Sequence, residues 1–118
     1  MKRVSKYALP FPPSVNHYWH RSKSGGMFIG KAGVKFREAV CRIAGHSCIQ
    51  PMTKRLGLTI ELIMPDRRER DIDNYNNGIF DALKHAGVYK SDGQIDKLVV
   101  DRGHVAPPGC CLVTVREL

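Results

Sequence analysis

The chain has 118 residues, 42% of them apolar by type, enough for one domain with a real core. Nineteen Lys and Arg against 11 Asp and Glu give a formal net charge of +8, which favours a polyanionic partner such as nucleic acid. No apolar run is long enough to span a membrane and no signal-like apolar segment precedes Pro10, so the expected compartment is the cytoplasm.

In chain order, Tyr7 to Leu9 is a short predicted strand, stopped by Pro10. Pro10 to Asn16 holds three prolines, which restrict the backbone and predict a rigid extended loop. At its end come Asn16, His17, Tyr18, Trp19, His20 and Arg21, followed by Lys23. Aromatic rings beside cations suit base stacking and phosphate contact. Asn16, Arg21 and Lys23 are therefore candidate DNA contacts, whereas packing on the core is the expectation for Trp19. Ser22 to Gly26 reads as a turn, and Met27 to Ile29 as a short strand.

Ala32 to Ala44 is a predicted helix with Val34, Ala39, Val40 and Ile43 on its apolar side and Phe36 flanking. Lys31, Lys35 and Arg37 fall nearer solvent and extend the list of candidate phosphate contacts. Leu56 to Leu62 alternates as a core strand should. A second helix is predicted from about Asn74 to Ala86, with Ile79, Leu83 and Ala86 inward and Gly87 as its C′ stop. Ser91 to Gly93 is a turn, Gln94 to Asp101 a second central strand, Val105 to Gly109 a proline-rich turn, and Cys111 to Val115 a final strand. Cys41, Cys48, Cys110 and Cys111 lack zinc-ligand or Cys-x-x-Cys spacing and are expected to be free thiols.

Between the core strand and the second helix lies Met64-Pro65-Asp66-Arg67-Arg68-Glu69-Arg70-Asp71-Ile72-Asp73-Asn74, with four acids and three arginines. Asp71 and Asp73 would diverge on a helix but share a face on extended backbone. If they cooperate, Asp71 lies outside the helix and Asp73 sits at or beside its N-cap. Close carboxylates repel, and a divalent cation offsets that repulsion; oxygen ligands suit Mg²⁺ or Mn²⁺. The same residues also fit a solvated loop in which Asp73 caps the helix and Asp71 pairs with arginine. Arg67, Arg68 and Arg70 are placed to approach phosphates, unless Asp66 or Glu69 takes one of them. Asp92 joins the acidic set if its turn folds back beside the second helix.

Four stretches together resemble the RusA family of Holliday junction resolvases over nearly the whole length. They are Pro12-Pro13-Ser14-Val15-Asn16, the Met64–Asn74 segment, Phe80-Asp81-Ala82-Leu83-Lys84-His85-Ala86-Gly87-Val88-Tyr89, and Ser91-Asp92-Gly93-Gln94-Ile95. The resemblance implies an α/β fold, a compact mixed β-sheet with two principal helices, forming one endonuclease domain over residues 1–118. It implies a homodimer that cuts four-way DNA junctions in recombination and repair, with Mg²⁺ or Mn²⁺, in the cytoplasm of a bacterium or a phage's host. The family's catalytic, metal-holding acids match Asp71, Asp73 and Asp92. Two positions depart: Asn77 stands where the family usually has a catalytic lysine, and Ser91-Asp92 where it often has two aspartates. Asn77 amid basic surroundings keeps open an alternative, a noncatalytic protein that binds branched DNA.

Overall fold

A computed structural model of the chain describes residues 2–45 and 50–118. Its first strand, β1 (Val4–Pro10), runs past the Tyr7–Leu9 stretch before the prolines end it. The proline-rich loop then gives way to one helical turn, α1 (Val15–Tyr18), where extended chain was expected. The prolines stop short of Val15, so nothing forbids helix there; the backbone N–H groups of His17 and Tyr18 both donate to Ser14 O. A small antiparallel ribbon follows, β2 (Trp19–Arg21) with β3 (Met27–Ile29).

Helix α2 (Lys31–Ala44) lies where its periodicity put it, but its buried side is Gly33, Phe36, Ala39, Val40 and Ala44. Val34 and Ile43, expected in the core, are exposed, and Phe36 has moved from the flank to the centre. Aromatic volume decides that rotation, because burying Phe36 removes more apolar surface than burying either branched residue. Cys41 is a free thiol; Cys48 lies outside the described residues.

Strand β4 (Leu56–Met64) is the spine of the fold. Leu56, Leu58, Ile60 and Leu62 are fully buried on the side facing the helices. Each such side chain contributes roughly 1.5–3 kcal/mol. β5 (Ile95–Val105) pairs with β4 in parallel, and β6 (Cys110–Glu117) pairs antiparallel with both β4 and β1. The sheet order is β1-β6-β4-β5. β5, expected to be central, is therefore an edge strand, and Leu98 and Val99 are exposed along it. Its apolar run had the composition of an interior strand, yet one side of its ladder has no partner strand among the described residues. Cys110 and Cys111 are free, with Cys111 alone fully buried, as opposite faces of a strand require.

Helix α3 (Asn76–His85) returns across the sheet with Ile79, Ala82 and Leu83 buried. Gly87 closes it at φ +86, a left-handed conformation open to glycine. No described helix is long and apolar enough to cross a membrane.

Candidate active site

The acidic segment leaves the end of β4 and is organised by Asp66. Arg70 Nη1 and Nη2 donate to its two oxygens at 2.5 and 3.1 Å, and the Arg68 backbone N–H donates at 2.9 Å. The Arg70 bond, then those from Arg68, hold the Asp66 carboxyl well below the usual carboxylate range. Arg70 also stacks 5.9 Å above the Phe11 ring, and Phe11 meets Tyr75 edge-on at 5.1 Å. The proline-rich loop thereby touches the chain on either side of Asp71 and Asp73. Arg102 Nη2 donates to Arg70 O at 2.5 Å, tying the loop to the far end of β5.

Asp71 follows with extended backbone, φ −82 and ψ 129, just before a helical turn. Asp73 does not cap the long helix. It lies inside a separate 3-10 turn, Ile72–Asn74, and the residue preceding α3 is Tyr75, which makes no side-chain cap bond. Asp71 and Asp73 are both exposed. Neither carboxylate has an ion pair or hydrogen bond among the described residues, although three arginines sit within six positions of them.

Asp92 has the opposite setting. It opens a 3-10 turn, Asp92–Gln94, that is stapled from both sides. Gln94 Oε1 accepts from the backbone N–H groups of Lys90 and Ser91 at 2.9 and 2.8 Å. Gln94 Nε2 donates to the carbonyls of Met52 and Lys54 at 2.9 and 3.0 Å. Within this rigid turn Asp92 Oδ1 is buried without a hydrogen-bond partner, as is Asn76 Oδ1 at the start of α3. Burial raises the Asp92 pKa; the Lys84 charge opposes this, and the Asp81 charge adds to it.

The fold does not bring the three acids together within one chain. The turn of Asp92 immediately precedes Ile95, level with Leu56, whereas Arg70 is bonded at Arg102, level with Leu62. Those two levels are seven residues apart on β5, roughly 23 Å. Helix α3, about 15 Å long, bridges the gap, with Asp73 before its start and the Asp92 turn packed against it. Accordingly, no group of three or more His, Cys, Asp or Glu side chains is near enough to hold one metal ion among the described residues.

A cluster that periodicity did not reveal lies between these regions. Asp81 is buried on α3. It accepts from the Tyr18 hydroxyl and from Arg37 Nε and Nη2, the latter two at 2.7 and 3.1 Å. Burial pushes the Asp81 pKa up, but hydrogen bonds from Arg37 and Tyr18 outweigh it and leave the carboxyl below its ordinary value. Tyr18 can approach because Gly78 has no Cβ; one there would lie 2.8 Å from the ring. The only hint in the sequence was an aspartate amid α3's apolar face.

Arg37 also lies 5.9 Å from the Trp19 ring centre. Trp19 Nε1 donates to Asn77 Oδ1 at 2.5 Å. Trp19 is packed against the core as expected, and it occupies the Asn77 carbonyl. The amide N–H groups of Asn77 remain as donors.

The remaining candidate contacts divide by exposure. Asn16, Arg21, Lys23, Lys31, Lys35, Arg67 and Arg68 are exposed. Two others are drawn inward: Arg37 into its pair with Asp81, and Arg70 into its pair with Asp66.

The profile of the family described as Endodeoxyribonuclease RusA matches residues 10–110. The crossover junction endodeoxyribonuclease rusA of Enterobacteria phage HK97 is 37% identical over 114 residues, covering 96% of this chain and 94% of that protein. The chain belongs to the RusA family. Crossover junction endodeoxyribonucleases of the same family from Enterobacteria phage 82 and Escherichia coli K12 are 35% and 33% identical over 111 residues, covering 93% of this chain and 92% of each. The match takes in the proline-rich loop, the acidic segment, α3 and the Asp92 turn.

Proposed function

We propose that the chain is a structure-specific endodeoxyribonuclease that resolves four-way DNA junctions by metal-dependent phosphodiester hydrolysis, serving recombination and repair in the bacterial cytoplasm. The carrying observation is an unpaired, exposed Asp71 and Asp73 set among arginines, in a chain 37% identical to a crossover junction endodeoxyribonuclease. The donor set fits a hard divalent cation, Mg²⁺ or Mn²⁺. It offers two free carboxylates on the loop and, on Asp92, a buried oxygen without a partner.

Bound there, the cation supplies Lewis acidity and lowers the pKa of water. Asp71 and Asp73 would hold it from the loop, and Asp92 would be the third carboxylate. Because each chain keeps Asp92 at the other end of α3, the third carboxylate comes from a second copy, and the working unit is a homodimer. Arg67 and Arg68, with Arg21, Lys23, Lys31 and Lys35, hold phosphates and set the register of the DNA without reading bases. Asn16 lies on the same exposed run. Asn77, oriented by Trp19, offers a neutral N–H where the family usually has a charged lysine.

That substitution favours one other reading, a branched-DNA-binding protein without turnover. A synthetic four-way junction in Mg²⁺ or Mn²⁺ separates them. Paired nicks on opposite strands, with linear duplex left intact, are expected of the resolvase. Tight junction binding with no cutting in either metal would put the noncatalytic reading in its place.

A further inference from the structure

The outer face of the β2–β3 ribbon carries two rings that the core does not use. Antiparallel pairing sets His20 against Phe28, so both side chains leave one face of the ribbon. The neighbouring pair, Trp19 and Ile29, leaves the opposite face and packs against the core. The His20 and Phe28 ring centres are 5.8 Å apart, with planes tilted by 36°. Phe28 is 51% exposed, and His20 is exposed beside it.

The ribbon is seated closely on the start of α2. A Cβ at Gly30 would lie 2.1 Å from His20 Cδ2, and one at Gly33 would lie 2.7 Å from Ile29 Cγ1, so both contacts require glycine. The two rings and the helix start line one open cavity. Val34, which turned outward when Phe36 took the core, adds to its apolar wall, and Lys31 and Lys35 supply charge. Glu38 is the single acid among its described lining residues. Arg21 and Lys23 are exposed on the ribbon and its turn. The base of the ribbon is tied to the acidic end of α3, because Trp19, next to His20, donates to Asn77 in the first turn of that helix.

We infer that this surface takes an unstacked nucleobase of branched DNA on the face of Phe28, with a flanking phosphate held by Lys31 and Lys35, and that it makes the protein select junctions over linear duplex. The inference rests on the junction-nuclease reading and deepens it. An aromatic ring stacks on any base, because every base has a π-face. In linear duplex each base is already stacked, and freeing one offsets the gain from the ring. At a branch point continuous stacking is interrupted, so a base is freed at lower cost and the ring adds affinity. The lysines alone cannot discriminate, since linear and branched DNA present the same phosphates. The excess of cations around the ring favours a nucleotide over an apolar protein face.

Anisotropy titrations in EDTA, against a four-way junction and a linear duplex of the same arm sequence, test this apart from cleavage. Phe28→Ala should weaken junction binding about tenfold and leave duplex binding and its salt slope as in wild type. Phe28→Leu should lose as much, because it keeps apolar bulk without a flat ring. Phe28→Tyr should bind the junction as wild type does. The side chain is exposed, so all three variants should fold, which circular dichroism checks. Unchanged junction affinity in Phe28→Ala, or equal losses on junction and duplex, would overturn the stacking site. Full affinity in Phe28→Leu would overturn it as well, by reducing the surface to a general apolar contact. A wild type that binds junction and duplex equally would overturn the junction reading and this inference with it. Failure of the wild type to cut, with the expected binding pattern intact, would count against the nuclease reading alone.

Discussion

Two acidic regions of this molecule are built in opposite ways. The segment carrying Asp71 and Asp73 is exposed, and its own anchor, Asp66, absorbs two arginines so that the later carboxylates stay free. The Asp92 turn is fixed by four hydrogen bonds from one glutamine side chain, and it buries a carboxylate oxygen with nothing to bond. A free acid on a loop costs the fold little. A buried carboxylate oxygen without a partner costs stability.

The largest effect should come from the exposed side. Asp71→Asn keeps the shape and removes the charge, so cleavage should fall by roughly 10² or more. Its unfolding free energy should stay within about 0.5 kcal/mol of wild type. Junction binding in EDTA should hold or tighten, because repulsion from phosphates is reduced. Asn77→Lys should raise single-turnover cleavage by on the order of tenfold by restoring a cation near the developing charge. Gln94→Ala strikes the other region; losing its backbone bonds should cost about 1–3 kcal/mol in urea unfolding and lower cleavage with it.

The sharpest contrast between the two regions is expected in the pH dependence of stability. Burial raises the Asp92 pKa above its unfolded value, so the folded chain holds that proton more tightly than the unfolded chain does. Stability is then lost as pH rises from the unfolded value, near ~3.9, through the folded one. Asp92→Asn should therefore raise the melting temperature at pH 7 while lowering cleavage. The gain should shrink as pH approaches 4. A melting temperature lowered at pH 7 would show that the carboxylate stabilises its turn instead.

Much of this was legible in the sequence. The alternation of Leu56 to Leu62 gave the central strand, and the expectation that Asp71 lies outside the helix if the two acids cooperate matches its extended backbone. Local pattern could not show that β5 lies at an edge, because the apolar run from Leu98 to Val100 reads the same at an edge as in the interior. Nor could it separate Asp73 from the cap of α3: a 3-10 turn and a helix start use the same residue types. The Tyr18–Asp81–Arg37 cluster joins residues 44 and 63 positions apart. Spacing within a helix carries no trace of such a contact. The acids themselves were visible, but not their separation, which depends on the parallel pairing of β4 with β5.

The central claim is an acidic site shared between two copies, and complementation tests it most directly. Asp71→Asn and Asp92→Asn proteins, each inert alone, are mixed under conditions that exchange subunits and given a four-way junction in Mg²⁺. A mixed dimer carries one site with both wild-type acids and one with neither, so the mixture should nick the junction on one strand. If subunits exchange and the mixture stays as inert as its parents, Asp71 and Asp92 do not act across the dimer.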